Sequence, residues 1–132
     1  MSHAADYVNS PKYREGIELF NSGHYYDCHE VLEDVWRAAP GKEKLFLQGL
    51  IQLAVGLHHY STGNVAGARS VMARGHRNLC KYPDVFGGIN LAKLRHAAER
   101  CTQALDRGGV LEELPRIESA GSASAPELST SG

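Results

Sequence analysis

The stretch KEKLFLQGLIQLAVGLHHY, residues 42–60, decides the fold because it is apolar on nearly every side of the helix that its periodicity predicts. A helix that is hydrophobic all round belongs in a protein interior, where other helices cover it. Its apolar part, Leu45 to Leu57, spans about 20 Å as a helix, which is short of the roughly 30 Å that a bilayer requires. We therefore expect residues 42–60 to form the central, buried helix of a bundle.

Turn signals on both sides of this helix divide the chain into further helices. Ser10-Pro11 is typical of a helix start, Pro40-Gly41 of a break between helices, and Asn90 of an N-cap. The expected helices cover about residues 10–22, 25–39, 42–60, 64–81 and 90–107. No stretch alternates apolar and polar residues for long enough to indicate a strand. The sequence therefore predicts an all-α, single-domain helical bundle of about five helices, built from two helical hairpins plus a C-terminal helix.

The length sets the domain organisation. A chain of 132 residues has the size of one ordinary domain, because a single core usually organises roughly 100–200 residues. We expect a flexible N-terminus over residues 1–9, the bundle domain over residues 10–115 and a flexible tail over residues 116–132. From Ser119 onward the tail is rich in Ser, Ala and Gly, and such residues bury too little apolar surface to offset the entropy of ordering.

The composition narrows the class of protein and its compartment. With 42% hydrophobic residues, 22% charged residues and a net charge of -1, the chain matches a globular protein, and this balance argues against a nucleic-acid partner. No secretory signal is visible, and the three cysteines have no C-x-x-C spacing. We expect a cytoplasmic protein with free thiols and no membrane partner, while a homo-oligomer stays open.

The segment YYDCHEVLEDVW, residues 25–36, places an imidazole and a carboxylate on one helical face. At about 100° per residue, His29 and Glu33 lie about 40° apart, and Tyr25 and Trp36 fall within about 60° of His29. We expect these side chains to share the apolar face. Because a carboxylate is rarely buried without a partner, Glu33 then needs a cation or a hydrogen-bond donor.

The central helix carries a matching polar stripe. Gln48, Gln52 and His59 are spaced four and seven residues apart, which keeps them within about 40° of one another around the helix. Gly49 and Gly56 flank the stripe, and small residues there favour either a pocket or a very close approach of two helices. We expect helices 25–39 and 42–60 to face each other so that the two polar sets converge.

Convergence of these residues is typical of a metal site. Two imidazoles and one carboxylate from facing helices can hold a divalent ion and leave positions open for water or substrate. The expected metal ligands are His29, Glu33 and His59, for Zn, Mn or Fe, and the expected pocket lining is Tyr25, Trp36, Gln48 and Gln52. The alternative is a structural hydrogen-bond network, in which glutamine amides and imidazoles satisfy the carboxylate without a metal.

This segment resembles a bacterial and archaeal family of small helical proteins, catalogued as a domain of unknown function, whose signature is H-x-x-x-E-x-x-W. His29, Glu33 and Trp36 match that signature, and the similarity extends over about residues 12–106. The resemblance implies an all-helical bundle and a metal-binding role for the His/Glu motif, and some members carry the label of metal-dependent hydrolase. It brings no demonstrated activity.

Three functions stay open at this point. A metal-dependent hydrolase would use the bound ion to lower the pKa of a water molecule, with its catalytic residues and small-molecule substrate unassigned. A non-enzymatic helical-hairpin module would present a groove to a protein partner. A third interpretation is RNA binding through basic residues of the last two helices, although such a basic stripe is more often a solvated face. These residues are Arg74, Arg77, Lys81, Lys93, Arg95 and Arg100.

Overall fold

Within residues 6–121, the part of the chain that the computed structural model describes, five α-helices follow one another. A 3₁₀ turn, Asp6–Asn9, precedes α1 (Pro11–Asn21), α2 (Tyr25–Ala38), α3 (Gly41–Ser61), α4 (Val65–Leu79), the strands β1 (Val85–Phe86) and β2 (Ile89–Asn90), and α5 (Leu91–Asp106). The all-α fold class is confirmed. The flexibility expected of residues 1–5 and 122–132 lies outside the described residues.

Capping side chains fix where helices begin. Ser10 Oγ accepts a hydrogen bond from the amide of Tyr13 at 3.2 Å, and Pro11 occupies the first position of α1. Asn90 Oδ1 accepts a hydrogen bond from the amide of Lys93 at 3.1 Å at the start of α5. Each bond satisfies one of the amides that the first turn of a helix leaves free, so the starts predicted at Ser10 and Asn90 are confirmed.

The third helix, α3, lies at the centre of the bundle, with α2 packed on one side and α4 on the other. In turn α1 packs on α2 and α5 packs on α4. The fully buried side chains of α3 are Phe46, Leu47, Leu50, Leu53, Ala54 and Leu57. The central, buried position predicted for residues 42–60 is confirmed. Crossing a membrane would require a helix that is both long and apolar, and no helix in residues 6–121 meets both conditions.

Two glycines of α3 let α4 approach its backbone closely. A Cβ added at Gly56 would lie 2.2 Å from Met72 Cγ, and one added at Gly49 would lie 2.7 Å from Leu79 Cδ2. Side chains at these positions would therefore push the two helices apart. Of the two roles predicted for these glycines, the structure shows the close approach of helices rather than a pocket.

A short antiparallel hairpin, which the sequence did not predict, lies between the helices expected over residues 64–81 and 90–107. The strands β1 and β2 pair through the turn at Gly87 and Gly88, whose φ values are 63° and 75°. A two-residue hairpin turn needs such left-handed conformations, which glycine adopts without strain. Strands of two residues are too short to show the alternation by which a strand is recognised in a sequence.

Packing extends beyond residues 10 and 115, the limits expected for the bundle domain. Tyr7 in the 3₁₀ turn is buried, and its hydroxyl donates a hydrogen bond to Glu43. At the other end, the side chain of Asn21 donates to the carbonyl of Ile117 at 2.9 Å and accepts from its amide at 2.8 Å. Ile117 is buried as well, so large apolar side chains anchor both flanking segments. We call residues 107–119 the C-terminal strap.

Candidate functional site

An open cleft of about 390 Å³ lies between α2 and α3. Its lining is His29, Glu33, Trp36 and Arg37 from α2, and Gln48, Ile51, Gln52 and Val55 from α3. The two helices face each other, as the sequence predicted. The structure thus brings five of the seven predicted site residues to one cleft, and it adds three that were not predicted.

His29 and Glu33 contact each other at the rim of the cleft. His29 Nε2 lies 3.0 Å from Glu33 Oε2, and the two side chains are 24% and 41% exposed. The prediction that Glu33 shares the apolar face is wrong, because the buried positions of α2 are residues 25, 28, 32 and 35. Arg37 Nη2 also lies 3.7 Å from Glu33 Oε1. The carboxylate therefore has two partners on its own helix and access to water.

Trp36 lines the cleft and carries a buried, unpaired hydrogen-bond donor. Its indole Nε1 is the one buried side-chain nitrogen or oxygen in residues 6–121 that lacks a hydrogen-bond partner. Lys44 Nζ lies 4.3 Å from the centroid of the indole and also donates to the Trp36 carbonyl, so the ring is held by a cation–π contact. Buried polar groups are paired in the great majority of cases, and an exception requires an explanation.

The α3 wall of the cleft combines apolar side chains with an oriented amide. Ile51 and Val55 are partly exposed and provide the apolar surface. Gln52 Oε1 accepts a hydrogen bond from Asn78 Nδ2 of α4 at 2.8 Å. This bond occupies the oxygen of the Gln52 side-chain amide, whereas the amide nitrogen has no hydrogen-bond partner among the described residues. Gln48 is exposed and lies at the open side of the wall.

Two predicted site residues, His59 and Tyr25, do not line the cleft. His59 is two turns beyond Gln52, about 10 Å farther along α3, where its Nδ1 lies 3.4 Å from Asn64 Nδ2. Tyr25 is buried against Phe20, with ring centroids 5.6 Å apart. The helical wheel gives the direction of a side chain around the axis, whereas these two residues differ from the others in height along it.

The three predicted metal ligands are not assembled in one place. Across residues 6–121, no group of three or more His, Cys, Asp or Glu side chains is placed to hold a metal ion. His29 and Glu33 offer two donors, whereas a catalytic zinc site usually has three protein ligands. The residues of the cleft therefore do not fit a preformed three-ligand metal centre, and metal binding stays a prediction.

Aromatic rings continue the surface beyond His29. Tyr26 is 53% exposed, and its ring centroid lies 5.7 Å from that of His29 and 5.5 Å from that of His58. The sequence interpretation gave Tyr26 and His58 no role. The spacing of three residues between Tyr26 and His29 was the signal that these two rings are neighbours on the helix.

Glu43 is the buried charged residue that the sequence interpretation missed. It is 6% exposed, lies in the first turn of α3 and accepts a hydrogen bond from the Tyr7 hydroxyl. Burial and then this hydrogen bond raise the pKa of Tyr7 far above its ordinary value. Burial also raises the pKa of Tyr13, whose ring packs against Tyr7. A carboxylate is favoured near a helix N-terminus, so this cluster has a structural explanation.

A wider hollow of about 820 Å³ lies between α5 and the C-terminal strap. Its charged side chains include Lys93 and Glu118, whose Nζ and Oε2 atoms are 2.8 Å apart. It contains no buried polar side-chain atom in need of a partner, since the one such atom in the described chain belongs to Trp36. The smaller cleft between α2 and α3 is therefore the stronger candidate.

Comparison with known proteins agrees with the resemblance seen in the sequence. Residues 13–71 match the sequence model of a family described as "Domain of unknown function (DUF309)". An uncharacterized protein of Aquifex aeolicus (strain VF5) is 35% identical over 83 residues, which are 62% of this chain and 25% of that protein. The uncharacterized protein YpuF of Bacillus subtilis (strain 168) is 42% identical over 64 residues, which are 48% of this chain and 37% of that protein. The chain thus spans well under half the length of both relatives.

Proposed function

We propose that the cleft between α2 and α3 binds a small organic ligand. The description of the DUF309 family, whose sequence model matches residues 13–71, assigns no function to this segment. Nε1 of the Trp36 indole has almost no accessible surface in the structure, so ligand binding includes a rotation of this side chain, after which a carbonyl-type oxygen of the ligand accepts a hydrogen bond from Nε1. The observation that carries the proposal is that Nε1 is buried and has no partner within the described part of the chain. All residues that line the cleft fall inside the matched segment.

The energetics of the indole group favour a bound ligand. A buried donor without an acceptor costs about 1–3 kcal/mol of stability, and a ligand oxygen at Nε1 would recover that free energy. The volume of about 390 Å³ lies within the range of about 300–1,000 Å³ that is typical of ligand sites. Ile51 and Val55 provide apolar surface for the hydrocarbon part of such a ligand.

The position of Trp36 makes the test direct. Trp36 is the only tryptophan of the chain, so a ¹⁵N-labelled sample has a single indole N–H resonance. We expect members of a panel of small amides, ketones, esters and carboxylates to shift this resonance in a saturable way. In a thermal-shift assay, Trp36→Phe should lose the stabilisation by these compounds, whereas His96→Ala, on the exposed side of α5, should keep it. A panel in which no compound moves the resonance would contradict the proposal.

A divalent metal ion is a second candidate ligand because of one distance. His29 Nε2 and Glu33 Oε2 lie 3.0 Å apart and could bind the same ion, with water or substrate completing its coordination. Elemental analysis of protein purified without added ions tests this prediction. A stoichiometric metal that His29→Ala loses would support it, and a metal-free wild type would contradict it together with the metal-dependent hydrolase reading.

The helical-hairpin interaction module stays a prediction and differs from the ligand proposal in a measurable way. In that reading, His29 and Glu33 serve only as a structural hydrogen-bond network. His29→Ala would then lower the free energy of unfolding and leave the binding of small compounds, if any, unchanged. The reverse result, unchanged stability with weakened ligand binding, supports the ligand proposal.

A further inference from the structure

We infer that the hollow between α5 and the C-terminal strap is the contact surface of a symmetric dimer, in which the strap of each copy packs against α5 of the other. The occupant of the hollow is thus a second copy of this chain. The basis is an exposed apolar pair on the strap and charges of opposite sign on the two walls of the hollow. The cleft between α2 and α3 contributes no residue to this contact, so the dimer is independent of the ligand proposed for that cleft.

The strap exposes two large apolar side chains at the hollow. Val110 is 72% exposed and Leu114 is 48% exposed, and both residues line the hollow. Leu111 and Ile117 of the same segment are buried and anchor the strap to the bundle. Apolar side chains that are grouped beside a recess, rather than scattered singly over the surface, are typical of an interaction site.

The α5 wall of the hollow leaves room for apolar side chains of a second copy. Its central residues, Ala97, Cys101 and Ala104, are small and spaced four and three positions apart, so they form one stripe along the helix. The hollow has a volume of about 820 Å³. An apolar side chain that packs against this stripe leaves water, and its burial stabilises the contact.

The two walls of the hollow carry opposite charges that are not paired within the chain. Arg100 and Arg107 lie on the α5 side, Glu112 and Glu113 lie on the strap, and all four side chains are exposed. None of the four forms an ion pair with another described residue. A surface with a positive and a negative side is complementary to a second copy of itself, as the interface of a two-fold symmetric dimer must be.

One contact within the chain fixes the register of these charges. Cys101 Sγ lies 4.0 Å from the carbonyl oxygen of Glu113, so Glu113 is level with Arg100 and Cys101 along the axis of α5. A two-fold axis that is parallel to α5 and runs along the hollow exchanges the two walls and keeps the height along the helix. Glu113 of one copy then meets Arg100 of the other, and the contact occurs twice.

Sedimentation velocity of the full chain tests the dimer, in reductant because Cys80 is exposed. We expect a monomer–dimer equilibrium that moves toward the dimer between micromolar and near-millimolar protein, and toward the monomer at high salt, which screens exposed charges. Val110→Asp should raise the dissociation constant about tenfold or more, because it places a charge in the apolar part of the contact. Val85→Asp is the matched control: Val85 is 60% exposed on β1 and does not line the hollow, so the wild-type constant should be kept.

A charge exchange tests the register. Arg100→Glu and Glu113→Arg should each raise the dissociation constant about tenfold or more, because like charges then face each other at both contacts. An equimolar mixture of these two variants should recover the dimer, since a glutamate of one variant meets an arginine of the other at both contacts. Circular dichroism of each variant checks that its fold is intact, and the recovery itself requires folded chains.

Three results would overturn the dimer. A wild type that stays monomeric at near-millimolar concentration would show that a second copy does not occupy the hollow. If Val85→Asp weakens the dimer as much as Val110→Asp, the contact lies elsewhere on the molecule. A mixture of the charge variants that is no more dimeric than either variant alone would contradict the pairing of Arg100 with Glu113.

Discussion

Burial separates the three cysteines into two chemical kinds. Cys28 and Cys101 are buried and Cys80 is exposed. Burial raises the pKa of the Cys28 thiol to about 12 and also raises that of Cys101, because an apolar interior disfavours the thiolate. The thiolate is the form that reacts. In Cys28 and Cys101 both access and ionisation are therefore suppressed.

We predict that a thiol-specific disulfide reagent modifies one cysteine in the native protein and three in denaturant, as the burial of Cys28 and Cys101 requires. The absorbance of the released thiolate counts the groups. In Cys80→Ser the native count should fall to zero. Modification of Cys28 in the native state at the rate of Cys80 would show that α2 is not packed as described.

At the scale of single helices, the contact between α3 and α4 depends on the missing side chain of Gly56. A Cβ there would overlap Met72 Cγ at 2.2 Å. We predict that Gly56→Ala lowers the free energy of unfolding by about 1–3 kcal/mol, the usual cost of overpacking a core. Denaturant unfolding followed by circular dichroism provides the measurement.

The matched control for this prediction is the first residue of the same helix. A Cβ at Gly41 meets no atom within 4 Å, so Gly41→Ala should keep the stability or raise it by a few tenths of a kcal/mol through reduced freedom of the unfolded chain. Equal stabilities of the two variants would mean that α3 and α4 are farther apart than the structure shows.

The elements of the fold were largely predictable because each depends on local signals. Caps such as Ser10 and Asn90 and the apolar period of residues 42–60 are visible within one helix. The site was predictable only in part. Glu33 lies outside the buried face of α2 because packing against α1 and α3 sets the rotation of that helix about its axis. The periodicity of the α2 sequence alone does not predict this rotation. The hydrogen bond from Asn78 to Gln52 joins α4 to α3, so the sequence pattern of either helix alone could not predict it.

At the scale of the whole molecule, buried tyrosines couple stability to alkaline pH. Burial raises the pKa values of Tyr7, Tyr13, Tyr25 and Tyr82 above their ordinary value of 10.0. In the unfolded chain these phenols ionise near pH 10, whereas the folded protein retains their protons. The stabilisation is therefore fully present below about pH 10 and is lost as the pH rises further.

We predict that the free energy of unfolding begins to fall at about pH 8.5–9, where the thiols of Cys28 and Cys101 ionise in the unfolded chain but not in the folded protein. It should fall more steeply above about pH 10, by up to about 1.4 kcal/mol per pH unit for each buried thiol or tyrosine. Urea titrations at successive pH values measure this dependence. Tyr7→Phe should reduce the slope above pH 10, because it removes one of the buried phenols. A Tyr7→Phe slope equal to that of the wild type would contradict the burial of that ring.

The hydrogen bonds between Asn21 and Ile117 have a consequence for folding during synthesis. The main helix contacts join neighbours in the chain, α1 with α2, α2 with α3, α3 with α4 and α4 with α5, so each helix can pack as it leaves the ribosome. Asn21 and Ile117 are 96 residues apart in the sequence. The side chain of Asn21, at the end of α1, therefore stays exposed to water and cannot form these hydrogen bonds until almost the whole domain has been translated. Because closing so long a loop carries an entropic cost, this clamp is the step that ties the earliest helix to the last segment.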